Sequence, residues 1–424
     1  MVIGCQQRIS QIKNYECKII QLYQRIFSSS VKDSNNRTVL KRDYEELGVS
    51  PLQDTRVAKK CRFSDSNNTI WPLGYGLANF LYKYRQQKKS IHHNCNNFDK
   101  LPEEVILYLF KILDKLTLTK CAYVCQKWRR IAYDESLWQC LNIPHRRMSI
   151  MALDNILKRN VKYLSISHSN LYVNIRNVFE EPLPKLQYLD LSAVFIPVDI
   201  LNSLLSQCHN LIKLSLENCR VDVLCCEKIG RNSNLKVLNL ASSSGLDGDG
   251  IKHLLKLKNL EELNVSWAHI KVNNLRFLLT NMIQGITHLN ISGFLKQLAD
   301  NDLITLVNRC SRLVELDISD SLAITPDSVD FILNNLPNLK ILSMSRCFNV
   351  GTSFLQPKMQ RLKTGNRAHQ LKELNMFGMT NQYNSLWPDV VDLKINKNIF
   401  SHISRPKLAN NEYTIWEIPA FIDC

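Results

Sequence analysis

Asp190, His168 and His288 are of the types that build a hydrolytic relay, and Cys121 and Cys125 are of the types that bind metal or attack a carbonyl. A relay needs a Ser or Cys nucleophile within hydrogen-bond reach of a base, on a motif that holds it there. These Asp and His residues have no such Ser or Cys partner in a motif, and no phosphate loop occurs. Cys121 and Cys125 stand four apart inside an apolar helical pattern, with no matching Cys/His pair elsewhere. The reading is satisfied surface groups and buried thiols, with no metal, no cofactor and no catalysis. What remains is binding chemistry. Glu217, Trp267, Asp320, Arg346, Phe377 and Lys397 are large or charged groups set among short polar neighbours, the residue types that anchor interfaces.

The elements that must hold them come from a repeat. An L-x-x-L-x-L pattern begins at Val161, Leu186, Leu211, Leu235, Leu260, Ile286, Leu313, Leu339, Leu371 and Val390, at spacings of 25, 25, 24, 25, 26, 27, 26, 32 and 19 residues. In each unit the fourth and sixth positions are two apart, so both point to one face of a strand. Between strands, stretches such as "PVDILNSLLSQC" carry apolar residues three and four apart, a helical period. One such unit cannot bury its own apolar face, so neighbours stack. The fold class is α/β: a leucine-rich-repeat solenoid of about ten units with one curved parallel sheet. The repeated leucines are structural. The concave face falls to the alternate positions: the fifth, from Ser165 and Asp190 to Asn375 and Lys394, and the seventh, from Ser167 and Ser192 to Phe377 and Asn396. Glu217 at position seven and Trp267, Asp320, Arg346 and Lys397 at position eight stand out from that short polar surface.

Composition bounds the rest. The 424 residues are 45% apolar and 22% charged with a formal charge of +16. Residues 1–97 hold sixteen Lys and Arg against seven Asp and Glu, a net +9. Such a segment attracts acidic partners or serves as a nuclear address. It lacks interleaved aromatics and zinc or helix-turn-helix spacing, so nucleic-acid binding is not the reading. No apolar run approaches a membrane span, and "MVIGCQQRIS" puts a charge and amides where a secretory core would run. The fourteen cysteines are therefore expected reduced, in nucleus and cytoplasm. Within the segment, Ile9, Ile12, Ile19, Tyr23, Ile26 and Phe27 share a helical side, while Arg37–Leu40 fits an R-x-x-L pattern too short to be specific.

Residues 98–141 have another pattern. Pro102, Glu103 and Glu104 open a helix with Val105, Leu109, Ile112, Leu113 and Leu116 as its apolar face; a second carries Val124, Trp128 and Ile131, and a short third Leu137 and Trp138. Such a small all-α bundle needs the repeats or a partner helix to cover it.

"LPEE", "VCQKW" and "DESLW" in this order resemble an F-box. With "LSQCHNLIKLSLENCRV", "ITHLNISGF", "LVNRCSRLVELDISDS", "LSMSRCF" and "ISRPKLANN" followed by Trp416 downstream, the chain resembles the S-phase kinase-associated family of F-box/leucine-rich-repeat proteins across residues 98–424, and Trp416 is carried over with the co-receptor face. The resemblance implies a basic N-terminal region (1–97), an F-box (98–144), repeats (145–398) and a tail on the concave face (399–424). It implies a non-catalytic substrate receptor of a Skp–cullin–F-box ubiquitin ligase, acting on phosphorylated cell-cycle proteins such as cyclin-dependent-kinase inhibitors at the G1/S transition. The alternative is a scaffold that binds adaptor and partner without directing ubiquitin transfer. Implied partners are a Skp-type adaptor, through it cullin and RING protein, and a Cks-type subunit that takes the substrate's phosphate; neither membrane nor nucleic acid is among them. Leu101, Pro102, Val105, Ile112, Leu116 and Trp128 match positions that contact the adaptor or support that surface. Trp267, Asp320 and Arg346 match the co-receptor face; the alternative for Asp320 and Arg346 is a structural salt link across neighbouring units. Leu295 stands where the family has a basic residue.

Overall fold

The computed structural model describes residues 101–172, 179–351, 371–379, 394–396, 403–405, 408–409 and 412–413. The basic segment 1–97 lies outside them. The chain divides after Leu137 into two compact units.

Among the described residues the first unit holds three short helices, α1 (Glu103–Lys111), α2 (Lys115–Cys121) and α3 (Gln126–Ala132), and a 3-10 turn, Glu135–Leu137. Pro102 precedes α1, and Glu103 and Glu104 face its positive end. Asp114 caps α2 by accepting the Thr117 N–H at 2.9 Å. Cys125 is not inside a helix, as the apolar pattern suggested. It caps α3, its Sγ accepting the Trp128 N–H at 3.4 Å. The core is Ile106, Leu109, Phe110, Leu118, Trp128 and Ile131, with the Phe110 and Trp128 rings edge to face at 5.2 Å.

The second unit is the solenoid. Eleven strands form one parallel sheet in the order β1, β3, β5, β6, β7, β8, β9, β11, β13, β14, β15. They begin at β1 (Cys140–Asn142), β3 (Tyr163–Ser165) and β5 (Tyr188–Asp190) and continue through β6 (Lys213–Ser215), β7 (Val237–Asn239), β8 (Glu262–Asn264) and β9 (His288–Asn290). The run ends with β11 (Glu315–Asp317), β13 (Ile341–Ser343), β14 (Glu373–Asn375) and β15 (Lys394–Asn396). Between them, β2 (Arg147–Ser149) pairs with β4 (Asn170–Tyr172), and β10 (Leu295–Ala299) with β12 (Ser321–Ala323), in the turns past the main strands. Helices of successive units pack on one another behind the sheet. The leucines of positions one, four and six, such as Leu211, Leu214 and Leu216, are buried, with Leu371 half-buried toward the far end.

The two ends differ from the spacing-based reading. One unit more stands at the start: β1 pairs with β3 in the common register, which puts Trp138, Leu141 and Ile143 in positions one, four and six. The sheet thus starts at Cys140, ahead of the boundary expected at 145. At the far end β15 pairs Lys394 with Glu373 and Ile395 with Leu374. Lys394 is therefore a third-position residue, not a fifth. A shift of two residues leaves every side chain on its original face, so the apolar alternation of Leu393 and Ile395 fits either register. Lys397 loses its assignment to position eight and lies outside the described residues.

Leu289 fills position four of the central unit at zero exposure. Leu289→Ala is expected to lower unfolding stability by about 2–5 kcal/mol, read as a shift in urea midpoint with the adaptor-free chain.

Candidate functional site

The concave face is built from hydrogen bonds that the strands cannot make alone. In five units the fifth-position side chain folds forward onto the backbone N–H two residues on: Asp190 to Ser192, Asn239 to Ala241, Asn264 to Ser266, Asn290 to Ser292 and Asp317 to Ser319, at 2.9–3.1 Å. These are the local turns that Asp and Asn favour. The fifth-position residues from Ser165 to Ser343 are buried, and so are most of the seventh. They are spent on structure rather than offered as a binding surface. Asp190 belongs to this set: it accepts from the Ser165 and Ser192 hydroxyls, and burial pushes its carboxyl up.

Position eight is where large side chains emerge. Its N–H continues the ladder to the next unit's seventh-position carbonyl, as in Trp267 to Ser292 at 2.9 Å and Arg346 to Phe377 at 2.8 Å. The chain must then turn away from the sheet, and every residue here has positive φ: His145, His168, Ala193, Asn218, Ser242, Trp267, Asp320 and Arg346 at 54–58°, Gly293 at 85° and Gly378 at 74°. Large side chains at this position lie toward the following unit. The His145 and His168 rings stack at 5.0 Å. A Cβ on Gly293 would stand 2.4 Å from the Trp267 indole, and one on Gly378 2.9 Å from the Arg346 side chain. The two glycines clear the floor on which Trp267 and Arg346 rest. That signal was present in the sequence as a glycine at position eight of the unit after each, and spacing arguments passed over it.

Trp267 remains 46% exposed. Asp320 and Arg346 form a two-pronged ion pair between neighbouring units, the salt link that the sequence allowed. Asp320 holds the Arg346 guanidinium charged, and the same group lies 6.0 Å over the Phe377 ring. The structure therefore gathers Asp320, Arg346 and Phe377, with Trp267 two strands away along the same rim. Leu295 is also exposed, its N–H bonded to the Asp320 carbonyl at 3.0 Å. Trp416 lies outside the described residues.

Two further features were not read from spacing. Residues 403–405 lie against the concave face. The Asn264 side chain donates to the Ile403 carbonyl at 3.0 Å, and Arg405 grips Glu217 through both carboxylate oxygens at 3.0 and 3.1 Å. Glu217 also accepts from Asn239 at 2.9 Å, so it anchors the chain's own tail. The second feature is the third-position column, which shares the concave side. At one end Tyr163 stacks on Tyr188 at 4.4 Å; toward the other come Glu262, His288, Glu315 and Glu373. Burial, then the charges of Asp317, Glu262 and Glu373, push the Glu315 carboxyl up to about 7.

In the helical unit the adaptor candidates separate. Trp128 is core and can only support a surface from beneath. Pro102 is exposed, and Leu101 and Val105 are half-buried. The Leu101 carbonyl accepts from Lys127 at 3.0 Å, which ties the entry of α1 to α3. Ile112 at 66% and Leu116 at 52% are exposed, and Tyr108 at 63% and Val124 join them. Exposed apolar surface of this extent is the kind a partner protein commonly covers. The buried cysteines are held in the thiol form. Burial pushes the thiols of Cys121, Cys208, Cys219, Cys225, Cys226 and Cys347 up to about 12. Among the described residues no group of three or more His, Cys, Asp or Glu is placed to hold a metal.

Comparison with known proteins matches this organisation. The family model of the SKP2 LRR domain matches residues 151–422, and an F-box-like model matches residues 98–144. The F-box protein SKIP19 of Arabidopsis thaliana is 23% identical over 255 residues, covering 60% of this chain and 70% of that protein. Among solved structures, internalin C2 of Listeria monocytogenes is 21% identical with a TM-score of 0.32, covering 46% of this chain and 75% of its own. The structure of the yeast Rad7–Elc1 complex matches at 14% identity and a TM-score of 0.37, covering 78% of this chain and 99% of the matched one.

Because the folded chain holds the Glu315 proton more tightly than the unfolded chain, stability is fullest below about pH 4.5 with respect to this group. It falls as pH rises toward about 7 and stays lower above. Glu315→Gln is expected to be more stable than the parent at pH 8, by on the order of 1–2 kcal/mol, with the gap closing below pH 5 in denaturant titrations.

Proposed function

The chain belongs to the SKP2-type family of F-box leucine-rich-repeat proteins, and on that premise we propose that it is the substrate-recognition subunit of a Skp–cullin–F-box ubiquitin ligase for phosphorylated cell-cycle regulators. The observation that carries the reading is the presence of two unlike surfaces on one chain. The helical unit offers an apolar face of Tyr108, Ile112, Leu116 and Val124, and the solenoid offers a rim with Trp267 and the Asp320–Arg346–Phe377 cluster. The first suits a Skp-type adaptor, through which cullin and RING protein follow. The second suits a Cks-type co-receptor holding a substrate phosphate.

Such a receptor does no covalent chemistry. It raises the local concentration of a substrate lysine near a loaded conjugating enzyme, and tethering alone supplies the rate. The proposed clients are cyclin-dependent-kinase inhibitors and the proposed compartment is nucleus and cytoplasm, readings supported by the family resemblance and the basic N-terminal segment. Leu295 modifies the picture. A leucine on the rim cannot pair with an acidic group, so the client is expected to place an apolar side chain there.

Two outcomes check this. Ile112→Asp with Leu116→Asp is expected to abolish co-purification with the adaptor while the repeats keep their unfolding midpoint, since both side chains are exposed. Leu101→Asp with Pro102→Ala should do the same. A phosphothreonine peptide from a kinase inhibitor should bind the adaptor-bound chain only when the Cks subunit is present, and Trp267→Ala should weaken that binding at least tenfold. Equal affinity with and without phosphate or Cks would overturn the co-receptor reading.

A further inference from the structure

The edge of the solenoid where the strands begin carries a second groove, away from position eight. It has a volume of about 700 Å³ and runs from Pro184, before β5, to Arg312, before β11. Five strand steps separate those ends in the sheet order, about 24 Å at the usual strand spacing. Two rows line it: residues just ahead of position one, including Asn210, Asn234 and Asn259, and residues of position two, including Lys236 and Thr287.

Its chemistry is amide and cationic. Asn210 donates to the Pro184 carbonyl and Asn259 to the Ser233 carbonyl, each at 2.8 Å, reaching back to the preceding unit. Their side-chain oxygens stay available as acceptors for a ligand's N–H groups. Lys236 is held by Glu261 at 2.8 Å. Lys258 and Arg312 are exposed and, among the described residues, neither is in an ion pair. With three cations and one carboxylate the groove is positive. No aromatic ring lines it, so it offers nothing for bases to stack on, which single-stranded nucleic acid requires.

We propose that this groove binds an extended acidic segment of a protein partner, with two anionic side chains held by Lys258 and Arg312. Those residues belong to the units of β8 and β11, which are two steps apart in the sheet. Two steps are about 10 Å, and an extended polyproline-II segment rises about 3.1 Å per residue and returns to the same face every third residue, so the anions stand three residues apart. The groove's length fits a segment of about seven residues. This surface lies at the opposite ends of the strands from the Trp267 rim and does not depend on the co-receptor reading.

The test uses the full chain bound to its adaptor, without a Cks subunit. The probe is a fluorescein-labelled eight-residue peptide with phosphoserines three residues apart. Comparators are the same peptide with adjacent phosphoserines, the unphosphorylated peptide and an octathymidine strand. The spaced peptide is expected to bind at least fivefold tighter than the adjacent one. Lys258→Glu with Arg312→Glu should weaken it more than tenfold, Lys258→Gln with Arg312→Gln should weaken it several-fold with an unchanged melting temperature, and Trp267→Ala should leave it unaltered. Absence of binding, equal affinity for both phosphopeptides, indifference to the groove variants, or equal binding of octathymidine would each overturn the proposal.

Discussion

The hydrogen bond from each position-eight N–H to the next unit's position-seven carbonyl sets the geometry of the solenoid's rim. It carries the parallel ladder one residue past the strand and obliges the chain to leave the sheet through a left-handed residue. For an L residue that conformation costs roughly 1–2 kcal/mol, and eight non-glycine residues of the solenoid adopt it at this position. The return is a row of side chains aimed along the rim at regular strand spacing. Where the chain places a tryptophan or an arginine in that row, the following unit supplies a glycine beneath it, at Gly293 and Gly378.

The polar residues of the concave face serve this same frame. Asp190, Asn239, Asn264, Asn290 and Asp317 satisfy the backbone N–H groups that a three-residue strand leaves over, and they are buried in doing so. Removing one would strand a buried N–H, and the cost of such an orphan is larger than the net worth of the bond itself. The groups with freedom to engage partners are thereby pushed to the rims, to the third-position column and to the helical unit. The tail follows the same logic: its Arg405 occupies Glu217, the one large carboxylate of the seventh-position row, so that charge is neutralised within the chain.

Much of this was legible in the sequence because apolar periodicity reports directly on burial. The solenoid, its parallel sheet and the helical unit ahead of it all follow from spacing, and the leucines at positions one, four and six are core as their pattern demands. The failures share a physical origin. A two-residue slip preserves the faces, so the last strand could be registered only by its pairing partner. The first unit carries Trp138 where the repeat has leucine at position one, so it departs from the L-x-x-L-x-L pattern and its strand is registered only by pairing with β3. On short helices the apolar stripe cannot separate core from docking face, which left Ile112 and Trp128 on one footing when the first is exposed and the second buried. The link between Glu217 and Arg405 joins residues 188 apart, and no local pattern reports such a contact.

In the proposed function one chain couples two surfaces to transfer ubiquitin, rather than merely holding two partners. The direct measurement is polyubiquitin formation on a phosphorylated kinase inhibitor in a reconstituted reaction containing adaptor, cullin, RING protein, conjugating enzyme and Cks subunit. The account predicts chains that require both surfaces: transfer lost when the exposed apolar face of α1 and α2 is made charged, and lost when the Trp267 rim is truncated. Stable capture of adaptor and phosphorylated inhibitor with no ubiquitin transferred would contradict it and leave a scaffold in its place.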